Sequence, residues 1–388
     1  MTDVAESNRG LARASRLSLA GGVVVLLLSS VFGIFDATRF LQSYLLSYLF
    51  WLELTLGSLA MLMVGVLTKG GYFAVTRRIL EASTQTIYVM AILFIPILLG
   101  VKKLYPWADA TKLDLSLFPH KSIYFEPVFF SLRAVICVAS WIFTAYFLLS
   151  ALNGRKGASN KSALSLSAFF LLLFALSDTV AAVDWQMSLD PLWRSTIYAM
   201  VFMVGQAFGA WAFTLMIVKI MAHVYQPPVV IASKVELDLG NILLTLVVLW
   251  AYLSFMQYLI VWSGNLPDET TWFGKRMHHG WEWLLFVLFL FQFAAPFFAL
   301  LLRDVKNNFV GMIAITGSVL VIRILDRFWM IMPSFNPNAV SPSLSDATLL
   351  IGIGGIWLGA FFWILNKRPT FATCHSDWPT AEVVDHAQ

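Results

Sequence analysis

Nine ionisable side chains stand inside, or at the mouths of, long apolar stretches: Glu53, Arg133, Asp178, Asp184, Asp238, Glu282, Arg323, Asp326 and Arg327. A charge at the centre of a helix in hydrocarbon costs at least about 2.5 kcal/mol, so such groups face protein or water and take partners. Their available chemistry is proton exchange, ion pairing or ligand binding. Glu53 is the most isolated. Its nearest charges along the segment, Arg39 and Lys69, are too far along a helix to pair with it. It needs a partner on another helix or a bound proton, and two readings stay open: a proton-relay carboxyl, or a structural glutamic acid bonded between helices.

Asp178 and Asp184 are six residues apart, about 240° around a helix, so they do not share a face. Asp178 lies deeper and is the better relay or ligand candidate, whereas Asp184 suits an anchor at the helix end. Arg133 is expected to pair with Asp178 on the neighbouring helix, or to snorkel to the interface. With His120 just outside the same helix, His120, Arg133, Asp178 and Asp184 would form one polar cluster near the outer face. A quinol site needs a proton acceptor beside each hydroxyl and an apolar slot for ring and tail, which such a cluster opening to lipid would supply. Arg323, Asp326 and Arg327 sit at spacings of three and four on one helical face. They read as a structural ion-pair node carrying one net positive charge. Asp238 and Glu282 fall at helix starts, where the macrodipole favours carboxylates.

The six histidines give a negative result. None lies at the centre of an apolar segment, so no bis-His haem site is expected, and two cysteines, Cys137 and Cys374, hold no iron–sulfur cluster. No metal site is expected, including at His278 and His279. Adjacent residues on a helix point about 100° apart.

The elements that must position these groups follow from composition. Of 388 residues, 59% are apolar and only 12% are charged. That is about half the charge of a soluble domain. It excludes an ordinary soluble enzyme, a disordered chain and a nucleic-acid binder. Ten segments reach the length of about 20 apolar residues that a spanning helix needs. They run over Leu17 to Phe35, Leu41 to Leu67, Gln85 to Val101, Val128 to Leu152, Leu164 to Ala182, Ile197 to Ala222, Gly240 to Trp262, Trp281 to Leu302, Val310 to Met332 and Asp346 to Leu365. The expected fold is therefore an all-α polytopic membrane protein, with tails at 1–16 and 367–388 around one membrane domain at 17–366. No cleavable leader is expected, because the first apolar run lacks a small-residue exit.

Fifteen of the 26 Lys and Arg fall on the side shared by the termini, eight on the opposite side and three inside helices. The positive-inside rule then predicts both termini in the cytoplasm. The Gly/Ser/Lys stretch at 153–162 is the expected hinge between two helix groups. Gly70-Gly71 followed by Arg77-Arg78 reads as a turn and a basic amphipathic stretch at the inner surface. No strong internal repeat is visible.

Five segments, in order from the second span to the ninth, resemble one family: LTKGGYFAVTRRILEA at 67–82, LYPWA at 104–108, VDWQMSLDPLWRSTI at 183–197, DLGNILLTLVVLWAYLSFMQYLIVWSGNLP at 238–267 and LDRFWMIMP at 325–333. The family is the ActF subunit of alternative complex III, a ten-helix relative of the NrfD and polysulfide-reductase membrane subunits. The DW-x-MSL-x-P and WAY…Q-x-L-x-x-W…N-x-P stretches are the most specific. The resemblance implies two four-helix bundles, about 41–182 and 197–332, with two peripheral helices. It implies a respiratory quinol:electron acceptor oxidoreductase of the bacterial inner membrane, with an ActC-like sister subunit, an iron–sulfur protein and haem c subunits as partners. Quinone or quinol is the implied small molecule, and the redox metals belong to partners. In this family the sister subunit is the better-supported quinol site, and the ActF type is assigned a structural or proton-conducting part.

Asp184 in the DW motif and Asp326 in the LD-x-x-W motif match family positions. The resemblance also implies a His before the Trp that follows the DW motif. This chain has Leu192 before Trp193, so a proton route through that His is lost or passes to Asp190. A secondary transporter and a purely structural scaffold for redox subunits remain as competing functions.

Overall fold

The computed structural model describes residues 2–109, 123–153, 161–224 and 231–367. Among the described residues the chain is helical and contains no strand. Among the described residues ten helices are long and apolar enough to cross a membrane, and we label them α1–α10: Arg9–Phe35, Ala37–Thr68, Gly71–Leu99, Pro127–Asn153, Lys161–Leu189, Tyr198–Val224, Ser233–Gly264, Trp281–Leu301, Phe309–Phe335 and Leu344–Asn366. The protein is an all-α polytopic membrane protein.

The ends of these helices follow local chemistry. Asp36 caps α2, its side chain accepting from the Arg39 amide at 2.9 Å. Lys69 then ends α2 in the left-handed conformation, at φ 52°. Ser343 and Asp346 close a reciprocal capping box at the start of α10. At 32 residues α2 would be about 48 Å long, well beyond the roughly 30 Å of bilayer hydrocarbon.

The third span differs from the expectation. It begins at Gly71, so the basic stretch around Arg77 and Arg78 is the first part of α3 rather than a surface helix lying separately. The span is broken into Gly71–Gln85, Ile87–Leu93 and Ile95–Leu99. Pro96 near the second break lacks the amide that would continue the hydrogen-bond ladder. Arg77 is tolerated there because Glu81, one turn on, accepts from it at 2.7 Å, and Glu81 also accepts from Arg78 at 3.1 Å.

Helices α2 to α5 pack among themselves, and so do α6 to α9. The two groups meet chiefly along α2 against α6, with α9 also touching α2. Peripheral α1 and α10 lie against each other and against α2. Their backbones approach closely through small residues. A Cβ at Gly355 would overlap the backbone of Gly22, and Gly359, four residues on, faces Leu19 in the same way. Small residues one turn apart are what lets helices pack in lipid, where hydrophobic driving force between them is absent. The large apolar side chains of α1, such as Leu27, Val31 and Phe35, are exposed on the outer flank.

Candidate functional site

The meeting of the two helix groups buries a four-residue charge node. Glu53 on α2 is fully buried and faces α9. Its Oε1 accepts from Arg323 Nε at 2.7 Å and its Oε2 from Arg327 Nε at 2.5 Å. Arg323 Nη1 also donates to Asp326 Oδ2 at 2.6 Å. The α9 triad alone carries one net positive charge, and Glu53, 270 residues away, supplies the missing negative one. Two carboxylates and two guanidinium groups thus cancel. The Nη2 atoms of both arginines have no hydrogen-bond partner among the described residues.

Helix α6 is shaped to let this node cross between the groups. Gly205 and Gly209 are one turn apart on the face that α6 turns toward it. A Cβ at Gly205 would strike Arg323 Nη2, and one at Gly209 would strike Glu53 Oε1. Arg327 lies over the Phe202 ring, 4.7 Å from its centroid, one turn earlier on α6.

Asp178 on α5 approaches the same region from the other side. It is fully buried, and its Oδ1 accepts from Gln206 Nε2 on α6 at 3.1 Å. Its Oδ2 and Gln206 Oε1 have no partner among the described residues. The Arg327 charge reaches it. A line of acid and base groups therefore runs from α5 past α6 to α9: Asp178, Arg327, Glu53, Arg323, Asp326. At its far end Gln292 lies beside Asp326, on a π-helical stretch, Phe289–Ala294, inside α8. Such π-stretches occur mostly as local insertions, often at functional sites.

The expected four-residue outer cluster does not form in that way. Arg133 pairs with Asp184, not Asp178: Nε and Nη2 hold the two carboxylate oxygens at 2.7 and 3.1 Å. Tyr124 donates to the same carboxylate at 2.6 Å, and Arg133 lies 3.9 Å from the centre of the Tyr124 ring. The reason is rotational. Asp184 and Asp178 point to different sides of α5, the first toward α4 and the second toward α6. A forked, three-donor carboxylate is a poor proton acceptor. Outside the membrane segments, burial first and then the bond to Asp184 raise the pKa of the Tyr124 hydroxyl. His120 lies outside the described residues. The pocket beside this cluster, between Tyr124 and Trp193, holds about 270 Å³. That is below the usual range for a drug-sized ligand, roughly 300–1,000 Å³.

A third node was not expected from the sequence. Asp190, after the DW motif, accepts from Lys275 Nζ at 2.5 Å and from Ser334 Oγ at 2.6 Å, with Arg276 Nη2 at 3.6 Å. Arg276 is completely buried, sits 3.7 Å over the Trp272 ring and donates to the carbonyls of Trp272 and Met330. Lys275 and Arg276 stand in a turn-rich loop and carry no sequence signal of burial. Burial pushes the Arg276 pKa down to about 10 against the pull of Asp190, so it stays a cation at neutral pH. For Asp190 burial acts upward, but Arg276 and Lys275 outweigh it and hold the carboxyl below its ordinary value. A carboxyl held this way is a stabilising ion pair rather than a substitute proton carrier for the missing His.

The sign of that shift makes a prediction. A depressed carboxyl contributes stability above its unfolded pKa, about 4, and loses it as pH falls through the lower folded value. Asp190→Asn should lower the thermal midpoint at pH 7 and flatten its fall between pH 4 and more acid conditions. A variant midpoint that tracks the wild-type acid limb would contradict this account.

No family model and no curated protein matches the chain. Among the described residues no group of His, Cys, Asp and Glu is arranged to hold a metal ion.

Proposed function

We propose that the chain is a membrane subunit of a respiratory quinol oxidoreductase of the alternative complex III type, and that it carries protons between its two helix groups. The motif resemblance supports the family. The observation that carries the role is Asp178: a completely buried carboxyl with one oxygen left without a partner, beside a glutamine whose carbonyl oxygen is also free. A group that must exchange protons needs open lone pairs, and Asp178 has them where Glu53, Asp184 and Asp190 do not. Glu53, Arg323 and Arg327 then act as the fixed charges that set the field along the path, and Asp326 is its far terminus. In this reading the partners are an ActC-like sister, an iron–sulfur protein and haem c subunits, in a bacterial inner membrane with both termini cytoplasmic.

Asp178→Asn tests the role. It keeps the bond from Gln206 within reach and removes the exchangeable proton. In the assembled complex in proteoliposomes, quinol oxidation or its coupled proton movement should fall about a hundredfold or more, the lower end of the usual span for a lost acid–base group. Wild-type turnover with a wild-type proton yield would remove Asp178 from the path.

A scaffold reading has its own support, since Glu53, Asp184 and Asp190 are all closed into ion pairs. It predicts that Asp178→Asn changes nothing while assembly still depends on those pairs. The transporter reading has less support. Broken helices in transporters flank a shared midplane site, whereas the broken α3 does not line the large cavity that the π-stretch of α8 borders.

A further inference from the structure

A cavity of about 770 Å³ lies in the second helix group, between α7, the short helix Pro267–Gly274, α8 and α9. It is lined by aromatic rings from all four elements. Tyr252 and Phe255 on α7, with Phe286 and Phe289 on α8, line it and are also exposed on the protein flank, so its mouth opens sideways between two spanning helices. Its volume is in the range of pockets that hold a whole small molecule. An acyl chain alone would satisfy such a wall, so the polar groups decide between occupants.

Those groups are specific. Trp250 and Trp329 line the cavity, each more than nine-tenths buried, and the indole N–H of each has no partner among the described residues. A buried tryptophan N–H normally finds an acceptor. The Ser254 hydroxyl on the same wall is also without a partner. Buried Gln257 and Asp326 also line the cavity, and Asp326 is the terminus of the charge line described above. The wall thus offers two fixed N–H donors, an amide, a hydroxyl and a carboxylate to a flat guest held between rings. A hydrocarbon tail uses none of them.

We propose that this cavity binds an amphiphile with a flat, oxygen-bearing ring and a long apolar tail, the chemistry of a prenylated quinone or quinol. The ring lies among the aromatic side chains, its oxygens accept from the Trp250 and Trp329 N–H groups and the Gln257 amide, a hydroxyl of the reduced form donates to the Asp326 carboxylate, and the tail leaves through the mouth. The ring site stands on the cavity alone, while its identity as quinone rests on the proposed function. The site lies on α7–α9, away from the Arg133–Asp184 cluster first expected to hold such a ring.

The test uses the full chain in nanodiscs, titrated with decyl-tailed benzoquinone and naphthoquinone and, separately, with decanol. Binding is read by equilibrium dialysis and by quenching of tryptophan fluorescence. The quinones should bind at micromolar concentration and decanol about tenfold or more weaker, the ring oxygens making the difference. Ala251→Trp, which fills the cavity from α7, should abolish binding. Gln257→Leu, which keeps the volume, should weaken quinone binding about tenfold and leave decanol unchanged. Should Ala251→Trp fail to fold, Gln257→Leu still decides. Equal affinity for decanol and quinone, or quinone binding indifferent to both substitutions, overturns the proposal and leaves a lipid groove. Failure here leaves the Asp178 test untouched, and a silent Asp178→Asn with intact ring binding removes proton conduction while keeping the site.

Discussion

Glu53→Gln should cost the folded membrane domain about 3–5 kcal/mol, the usual penalty for leaving a buried charge without its partner. Wild-type Glu53 receives one strong bond from each of two arginines. Glutamine keeps the shape and removes the charge. Arg323 and Arg327 would then share only Asp326, and one buried cation would be uncompensated. The Nη2 atoms of both arginines are already without hydrogen-bond partners among the described residues, so the bonds lost with the Glu53 charge are not made up where these side chains stand. The measurement is reversible unfolding in mixed micelles, or the thermal midpoint in nanodiscs. A loss under about 1 kcal/mol, typical of a surface ion pair, would mean the node is solvated and wet.

The companion experiment separates stability from work. Buried ion pairs replaced as a whole by apolar residues of similar volume are often neutral or stabilising. Glu53→Leu with Arg323→Met, Asp326→Leu and Arg327→Met should therefore recover most of the stability that Glu53→Gln loses. If the node also sets the field on a proton path, the recovered protein will assemble and still fail to couple quinol oxidation to proton movement. Recovered stability with full coupling would reduce the node to a clamp.

Gly209→Leu should be the second most damaging substitution. Even a Cβ at this position meets Glu53 Oε1 with no room to share. Overpacking costs about 1–3 kcal/mol and occasionally more. Here the intruding atoms press on a charged oxygen whose bonds to Arg323 cannot be remade elsewhere. The loss should approach that of Glu53→Gln. Gly209→Ala isolates the steric part. Paired with Glu53→Asp, which draws the carboxylate back by one methylene, it should lose less than the sum of the two single variants. Such coupling between touching residues is about 0.5–3 kcal/mol. Strict additivity in that cycle would show that Gly209 and Glu53 do not meet.

Much of the architecture is decided by local properties. Apolar runs of spanning length are written along the chain, so ten helices and their approximate bounds follow from hydropathy. The exception is instructive. The start of α3 was hidden by Arg77 and Arg78, whose charges argue against membrane placement until Glu81 is seen to neutralise them from one turn away. That pair lies within one helix and a spacing of four was there to be read. The same spacing logic did identify the Arg323–Asp326 pair on α9.

Pairings between helices are another matter. Hydropathy and position required Glu53 to have a partner. They did not say that it would be α9, or that Gly205 and Gly209 on a third helix would make the space. Arg133 was expected to meet Asp178 and meets Asp184 instead. Asp190, the expected stand-in on the lost His route, is instead buried beside Arg276 and ion-paired with Lys275.

By itself, the amino-acid order determined that this is a many-helix membrane protein and that its few interior charges must be neutralised from within. Burial in hydrocarbon is a property of each segment, and the energy of an unpaired charge there is prohibitive whatever the neighbours. The tertiary structure alone decided which carboxyl is closed, which is open and where an aromatic cavity forms. Those outcomes depend on the rotation and contact of helices far apart in sequence, and a one-dimensional pattern holds no information about either.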